Sequence, residues 1–349
     1  MTTLTVNLGS NSYPIVIGNN LLSQADKYFN LDRKVLIVTD DGVPNIYASC
    51  IAELCKHPTI FTVKSGEESK SLATLEDLLT TMLDKEFDRC DCIVAVGGGV
   101  VGDLAGFASS VYMRGIDFYN VPTTLLSQVD SSIGGKTAVN LGGVKNNIGA
   151  FKQPRAVLID TDTLKTLDDR QFSSGLAEAI KMSLTSDEEL FNLFKKLSLD
   201  DINNKIEEII VKSLLIKKDV VEKDEKETGL RKILNFGHTF GHCIESNEGM
   251  SGLLHGECVA LGMLPFCSDS TREDLVIILK KVNLPYQYEG DISAALSYVA
   301  HDKKRSGSSL SVISVDTPGE YKIESISCED FKKAIKNFAF RKQYFTKSQ

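Results

Sequence analysis

Three of the chain's five histidines, His238, His242 and His255, fall within eighteen residues, in the strings LRKILNFGHTFGH and LLHGE. Far upstream, GLAEAIK places Glu178 in an apolar helical pattern. Two imidazoles and a carboxylate that leave one coordination position open make a catalytic zinc site. His238 and His242, at i and i+4, share one face of a helix. Such a pair alone is also what a hydrogen-bonded helix end looks like; the company of His255 and Glu178 favours a metal. Spacing leaves open which two histidines ligate, with His238 and His242 the pair it favours.

A second constellation lies where the strand-like DCIVAV runs into GGGVVGDLAG. Gly97, Gly99 and Gly102 satisfy G-x-G-x-x-G between a strand and a helix. Glycines let backbone approach a pyrophosphate, and the helix N-terminus supplies N–H groups and partial positive charge. The acid for a ribose hydroxyl belongs about 20 residues after such glycines. The best candidate here, Asp40 at the tip of KVLIVTD, precedes them. Either the strand order differs from the usual one or the nucleotide lies differently. A dinucleotide and an open metal site on one chain point to redox chemistry at an alcohol carbon. A third cluster, SQVDSSIGGKTAVNLGGVKNNIGAF, holds Asp130, Lys136, Lys145, Asn146 and Asn147 among turn-forming glycines, with Arg231, Asn235, Lys303 and Lys304 further on. Any one such cation is most often just solvated. Together they point to a phosphate-bearing substrate, Arg as a bidentate fork and Lys as a point charge.

These residues need a scaffold. LTVNLGSNSYPIVIG reads as a hairpin, and KVLIVTDD, TIFTVKSG, DCIVAVGGG, FYNVPTT and AVLID read as strands, with a helix over LATLEDLLTTMLDKE. Strands separated by helices imply an N-terminal Rossmann-like α/β domain around a parallel sheet. After about Leu164 apolar residues recur at helical spacing, and a short strand pair is expected near LSVISV and EYKIESIS. A chain of 349 residues exceeds one ordinary core. The expected domains are residues 1–163, binding a dinucleotide, and a mainly α-helical metal- and substrate-binding domain over 164–349, with the site between them.

Net charge is −8, which argues against general nucleic-acid binding but leaves an anionic small substrate open. The eight cysteines form no C-x-x-C pair and read as reduced thiols of a cytoplasmic protein. MTTLTVNLGS has neither the basic nor the apolar region of a signal peptide. No apolar run approaches the roughly 18 residues of a membrane span, so no membrane partner is expected.

The segments SGEESK, GGGVVGDLAGF, YMRG, VPTTLLSQVDSSIGGKTAVN, KNNIGAF, GLAEAIK, DEKETGLRKILNFGHTFGH and LLHGE together resemble the 3-dehydroquinate synthase family, across about residues 36 to 305. The fold of that family is similar to that of polyol dehydrogenases such as glycerol dehydrogenase, but GGKTAVN and GLRKILNFGHTFGH resemble the synthases. The resemblance implies that 3-deoxy-D-arabino-heptulosonate 7-phosphate is converted to 3-dehydroquinate plus phosphate, in the shikimate pathway to aromatic amino acids. Bound NAD transiently oxidises an alcohol, phosphate leaves by β-elimination with its own oxygens as base, the hydride returns, and the ring opens and closes by an aldol step. The alternatives are another sugar-phosphate cyclase, or a polyol dehydrogenase that releases NADH.

Carried over residue by residue, the resemblance implies Glu178, His238 and His255 as ligands of Zn²⁺ or Co²⁺, with His242 on the substrate instead. Asp130, Lys136, Lys181, Arg231, Asn235 and His242 would be catalytic. Asn146, Lys217, Glu227, Lys303 and Lys304 would join them in binding substrate, and Arg114 would reach in from the partner of a homodimer. NAD would be held by Asp40, Glu67, Lys70, Gly97, Gly98, Gly99, Gly102, Asp103, Thr123, Thr124, Lys145, Thr166 and Leu167. Met182–Ser183 stand where the family often has Tyr-Gly, and Val144 where a glycine commonly precedes the matching lysine.

Overall fold

The computed structural model describes residues 1–249, 252–299 and 309–340. The chain divides into two compact units, one of residues 1–175 with 205–226, the other of 176–204 with 227–349.

The first unit holds strands β1 (Thr2–Val6), β2 (Tyr13–Gly18), β3 (Lys34–Asp40), β4 (His57–Val63), β5 (Cys92–Gly97), β6 (Asp117–Pro122), β7 (Lys136–Leu141), β8 (Val144–Phe151) and β9 (Ala156–Asp160). Its helices are α1 (Asn45–Glu53), α2 (Leu72–Asp84) and α3 (Gly99–Val111), followed by the first part of α4 (Asp169–Ser186). After α5 (Glu188–Lys196) and α6 (Leu199–Asn204) of the second unit, α7 (Ile206–Lys223) returns to the first. The main sheet has the order β1-β2-β9-β6-β5-β3-β4. Only the β1–β2 hairpin is antiparallel; every other neighbouring pair is parallel.

Strands β3, β5 and β9 each carry an unbroken, buried apolar run because both faces of the sheet are covered there, whereas the edge strand β4 is largely exposed. Val35, Ile37, Val94 and Val96 pack with Ala25, Phe29, Ala48 and Ile51 on one face. Leu36, Val38, Ile93 and Ala95 pack with Leu75, Leu78, Leu104 and Val139 on the other. Burying each Val, Leu or Ile contributes about 1.5–3 kcal/mol relative to exposure. Helix α2 starts where the Ser71 side chain accepts from the Thr74 N–H, an N-cap that satisfies one orphan donor. Its buried Leu75, Leu78 and Met82 lie three and four residues apart, which turns one stripe to the core.

The polar stretch after β6 differs from its reading as turns. It forms a π-helical turn at Ser127–Ser131 and then the β7–β8 hairpin. Residues Thr137, Ala138 and Val139 are buried while β8 is largely exposed. Three consecutive buried residues lie on both faces of β7, so the strand shows no period-two pattern. Helix α3 lies close beneath it: a Cβ on Gly106 would stand 2.4 Å from the Thr137 Cγ2.

The second unit is mainly helical, with α8 (His238–Glu248), α9 (His255–Met263), α10 (Asp269–Lys281), α11 (Ile292–Ser297) and α12 (Cys328–Phe340). One small sheet pairs β10 (Ser309–Ser314) antiparallel with β11 (Lys322–Ser327), as the sequence indicates. Asp187 caps α5 by accepting from Leu190 N–H, and Leu190, Phe191 and Phe194 turn inward. Phe266 stacks on Phe331 with ring centroids 5.6 Å apart.

Candidate active site

In the second unit, α4 presents Glu178 and Lys181 one turn apart, each side chain 1% exposed. Lys181 Nζ donates to Glu178 Oε2. The other carboxylate oxygen, Oε1, is buried and has no hydrogen-bond partner among the described residues. His238 Nε2 and His255 Nε2 each lie 3.7 Å from that Oε1. Two donors about 2.1 Å from one ion at a tetrahedral angle sit roughly 3.4 Å apart, so the three atoms suit a shared divalent cation. Leaving a buried carboxylate oxygen unmatched costs on the order of 1–3 kcal/mol, a cost an ion there would offset.

Glycines create this meeting. His238 and His255 are the first residues of α8 and α9. Gly237, just before α8, has φ +77°, a left-handed conformation that suits glycine. A Cβ on Gly241 would stand 2.9 Å from Cys258 O, and one on Gly262 only 1.9 Å from Gly237 O. The two helices therefore touch backbone to backbone, which brings the His238 and His255 rings to 5.2 Å between centroids.

His238 Nδ1 lies 3.1 Å from Phe236 O. Burial holds His238 well below its ordinary pKa, helped by the Lys181 ammonium and the neighbouring imidazoles. A neutral ring is the form that ligates a metal. For His255 burial disfavours the charged form but is outweighed by Glu245 and Glu178, whose carboxylates raise its pKa. His242 is exposed, with its ring 5.3 Å from that of His238 and 5.9 Å from that of His255. Thus Glu178 is joined by His238 and His255, while His242, favoured by spacing, falls with Glu245 and His255 in a second group. Glu245 drew no notice in the sequence, although its i, i+3 position after His242 was a usable signal.

Elsewhere in this unit Arg231 is 2% exposed. Asn235 Nδ2 donates to Glu227 Oε1 at 2.9 Å. Lys303 and Lys304 lie outside the described residues.

In the first unit, β3 and β5 are neighbours. Asp40 and the glycine turn therefore stand at the carboxyl ends of adjacent parallel strands, where open α/β sheets bind ligands. This is how an acid that precedes the glycines in sequence comes to flank them. Asp40 Oδ1 accepts from Gly42 and Val43 N–H at 2.9 and 3.1 Å. Burial raises its pKa, against those two hydrogen bonds. β5 ends at Gly97 and α3 begins at Gly99. Thr123 N–H donates to Gly97 O at 3.0 Å, and a Cβ on Gly98 would stand 3.0 Å from the Thr124 Cγ2. Gly102 lies by Asn120. Thr166 Oγ1 lies 2.8 Å from Tyr47 OH, and Leu167 follows it.

Lys70 joins residues assigned to different ligands: its Nζ contacts Asp103 Oδ2 and Asn146 Oδ1. Burial pushes the Asp103 carboxyl up, against the Lys70 ammonium. Asn140 was missed in the sequence. Its side chain donates to Glu67 Oε1 at 2.8 Å and accepts from Asn146 N–H at 2.8 Å. Lys217 Nζ donates to Asp130 Oδ1 at 2.8 Å and to its carbonyl at 2.5 Å. Lys136 opens β7 opposite Phe151. Lys145 is exposed on β8, and Arg114 sits at φ +68° in a tight turn after Met113 at φ +46°.

The family described as 3-dehydroquinate synthase N-terminal matches residues 60–174, and its C-terminal counterpart matches residues 175–305. A 3-dehydroquinate synthase from Clostridium beijerinckii is 41% identical over 350 residues, covering 95% of this chain and 100% of the relative. Among solved structures, 2-deoxy-scyllo-inosose synthase complexed with carbaglucose-6-phosphate, NAD⁺ and Co²⁺ is similar at TM-score 0.86 and 27% identity, covering 96% of this chain and all of that one. Glycerol dehydrogenase from Schizosaccharomyces pombe shares the fold at TM-score 0.63 and 16% identity, covering 96% of this chain and 92% of that one.

Proposed function

The chain belongs to the 3-dehydroquinate synthase family, and from that premise we propose that Glu178, His238 and His255 hold its divalent metal while residues of the α/β unit hold NAD. Its reaction is the conversion of 3-deoxy-D-arabino-heptulosonate 7-phosphate to 3-dehydroquinate and phosphate, which makes it a phosphate-eliminating lyase. When bound, NAD supplies a reversible hydride acceptor and the metal supplies Lewis acidity at the substrate oxygens.

The chain's own residues do the rest. His238, kept neutral by burial, offers a lone pair at Nε2. Lys181 holds Glu178 Oε2, so that Oε1 faces the two imidazoles. Asp40 accepts ribose hydroxyls at the tip of β3, Glu67 and Lys70 assist, and the N-terminus of α3 faces the pyrophosphate. Gly97, Gly98, Gly99, Gly102, Asp103, Thr123, Thr124, Lys145, Thr166 and Leu167 complete that set. On the first unit Asp130, Lys136, Asn146 and Lys217 take substrate; on the second Lys181, Arg231, Asn235, Glu227 and His242 do. Arg231 gives the substrate phosphate a bidentate fork, and exposed His242 holds or passes a proton. Lys303 and Lys304 offer two further cations by sequence.

We also read the protein as a cytoplasmic homodimer. All eight cysteines are thiols, as a reducing compartment requires. Exposed Arg114 follows Val111 and Met113, apolar side chains that are also exposed and so are available to a partner copy. No described helix is long and apolar enough to cross a membrane.

The observation that carries the site reading is the orphaned Glu178 Oε1 facing two imidazole nitrogens at equal distance. The test is phosphate release from 3-deoxy-D-arabino-heptulosonate 7-phosphate with trace NAD and zinc, followed with NADH absorbance. Phosphate far in excess of NAD, without NADH build-up, is expected; NADH accumulation without phosphate would refute the cycle. His238→Ala is expected to abolish bound metal, and full metal content in that variant would move the site elsewhere.

A further inference from the structure

We propose that Glu245 is a positioning residue for the metal site, acting through His255. The inference rests on the reading of Glu178, His238 and His255 as ligands. An imidazole that ligates through Nε2 carries its proton on Nδ1 and needs an acceptor there. His238 meets that need with Phe236 O, 3.1 Å from its Nδ1. His255 Nδ1 faces the Glu245 carboxylate instead, 3.6 Å from Oε2. That is a few tenths of an ångström beyond a direct hydrogen bond. Glu245 lies two turns after His238 on the same face of α8, and its side chain is only 15% exposed.

Charge gives a second argument. Lys181 already holds one oxygen of Glu178, so these two groups sum to no net charge. Glu245 adds the negative charge that a dication requires, and an anionic acceptor makes its imidazole the stronger donor. The same geometry admits another reading, in which His242, Glu245 and His255 themselves take an ion. That reading fails while His255 ligates through Nε2, because its Nδ1 then bears the proton. Glu245 therefore serves as acceptor to the ligand, not as a ligand.

The test compares Glu245→Ala, Glu245→Gln and His255→Ala in the full chain. Zn²⁺ affinity is read by chelator competition and the coordination sphere by Co²⁺ visible absorption. Melting without metal checks the fold. Glu245→Ala is expected to weaken Zn²⁺ by about 10–100-fold and to shift the Co²⁺ bands. Glu245→Gln, which keeps an oxygen acceptor, should fall between it and the parent, and it carries the test if the alanine variant does not fold. His255→Ala should bind no metal at this site. An affinity within twofold of the parent with unchanged Co²⁺ bands in both Glu245 variants would overturn the proposal, provided His255→Ala has lost the metal. Loss as complete in Glu245→Ala as in His255→Ala would make Glu245 a ligand and also overturn it. Metal retained by His255→Ala would instead refute the ligand assignment itself.

Discussion

Gly262→Ala tests the claim that glycine contact between α8 and α9 builds the proposed metal site. In an ordinary helix interior this change is favourable by up to about 1 kcal/mol. Here the new Cβ would stand 1.9 Å from Gly237 O and 2.8 Å from Gly241 N. Carbon-to-oxygen contacts between backbones close to about 3.3 Å, so one helix must retreat by roughly 1.4 Å. The obstructing atoms are backbone and cannot swing aside as a side chain would. Overpacking of this kind costs about 1–3 kcal/mol, which for a unit of this size lowers the melting temperature by roughly 2–12 °C. The larger effect is on metal. Donor positions tolerate only about ±0.2 Å, and His238 sits next to Gly237 at the start of α8. Zinc affinity should therefore fall at least about tenfold, measured by chelator competition, and added zinc should lose most of its stabilising effect in calorimetry. Gly241→Ala, whose Cβ would meet Cys258 O at 2.9 Å, should show a milder form of both losses. Parent-like zinc affinity and melting in Gly262→Ala would refute the reasoning.

Further outcomes follow from other parts of the chain. Arg231→Ala should weaken substrate binding and turnover, by about 2–5 kcal/mol if it leaves an anion without its buried partner, while NAD affinity stays nearly unchanged; calorimetric titration of each ligand separates the two, and equal losses would unseat the assignment. Because burial raises the pKa of Asp40, its carboxylate protonates at a higher pH than an ordinary one. NAD affinity should decline on acidification above the usual carboxylate range, and Asp40→Asn should bind NAD weakly at every pH; a parent whose affinity is flat down to ordinary carboxylate pH values would contradict this. Burial pushes the thiols of Cys92 and Cys267 up to about 12, whereas Cys90 is exposed. Iodoacetamide at neutral pH should label Cys90 well before either, as mass spectrometry of the native protein would read; early labelling of Cys92 would mean that the sheet opens.

Legibility tracked the range of the interactions. KVLIVTD and DCIVAVG announce buried parallel strands because each carries an unbroken apolar run, Val35 to Val38 and Cys92 to Val96, and LATLEDLLTTMLDKE announces a helix because its apolar spacing is local. Glu178, the histidines, the glycine turn and the polar cluster were all visible as residue types at telling spacings, and the long shared strings carried the family. The β7–β8 hairpin escaped because its buried run, Thr137 to Val139, is only three residues long, and Asn140 escaped because its partners Glu67 and Asn146 are not its neighbours in sequence; Glu245, although at i, i+3 from His242, meets His255 only once α8 and α9 pack.

Pairing across the chain belonged to the tertiary structure. Sheet order sets Asp40 beside the glycine turn, since β3 and β5 are hydrogen-bonded neighbours although α1, β4 and α2 lie between them in sequence. The return of α7 to the α/β unit gives Asp130 its Lys217. Backbone contact at Gly237, Gly241 and Gly262 gives Glu178 the company of His255 and leaves His242 outside. Spacing along a helix says which side chains share a face; which distant atoms they meet depends on how closely two backbones can approach, and that is decided only when the elements pack.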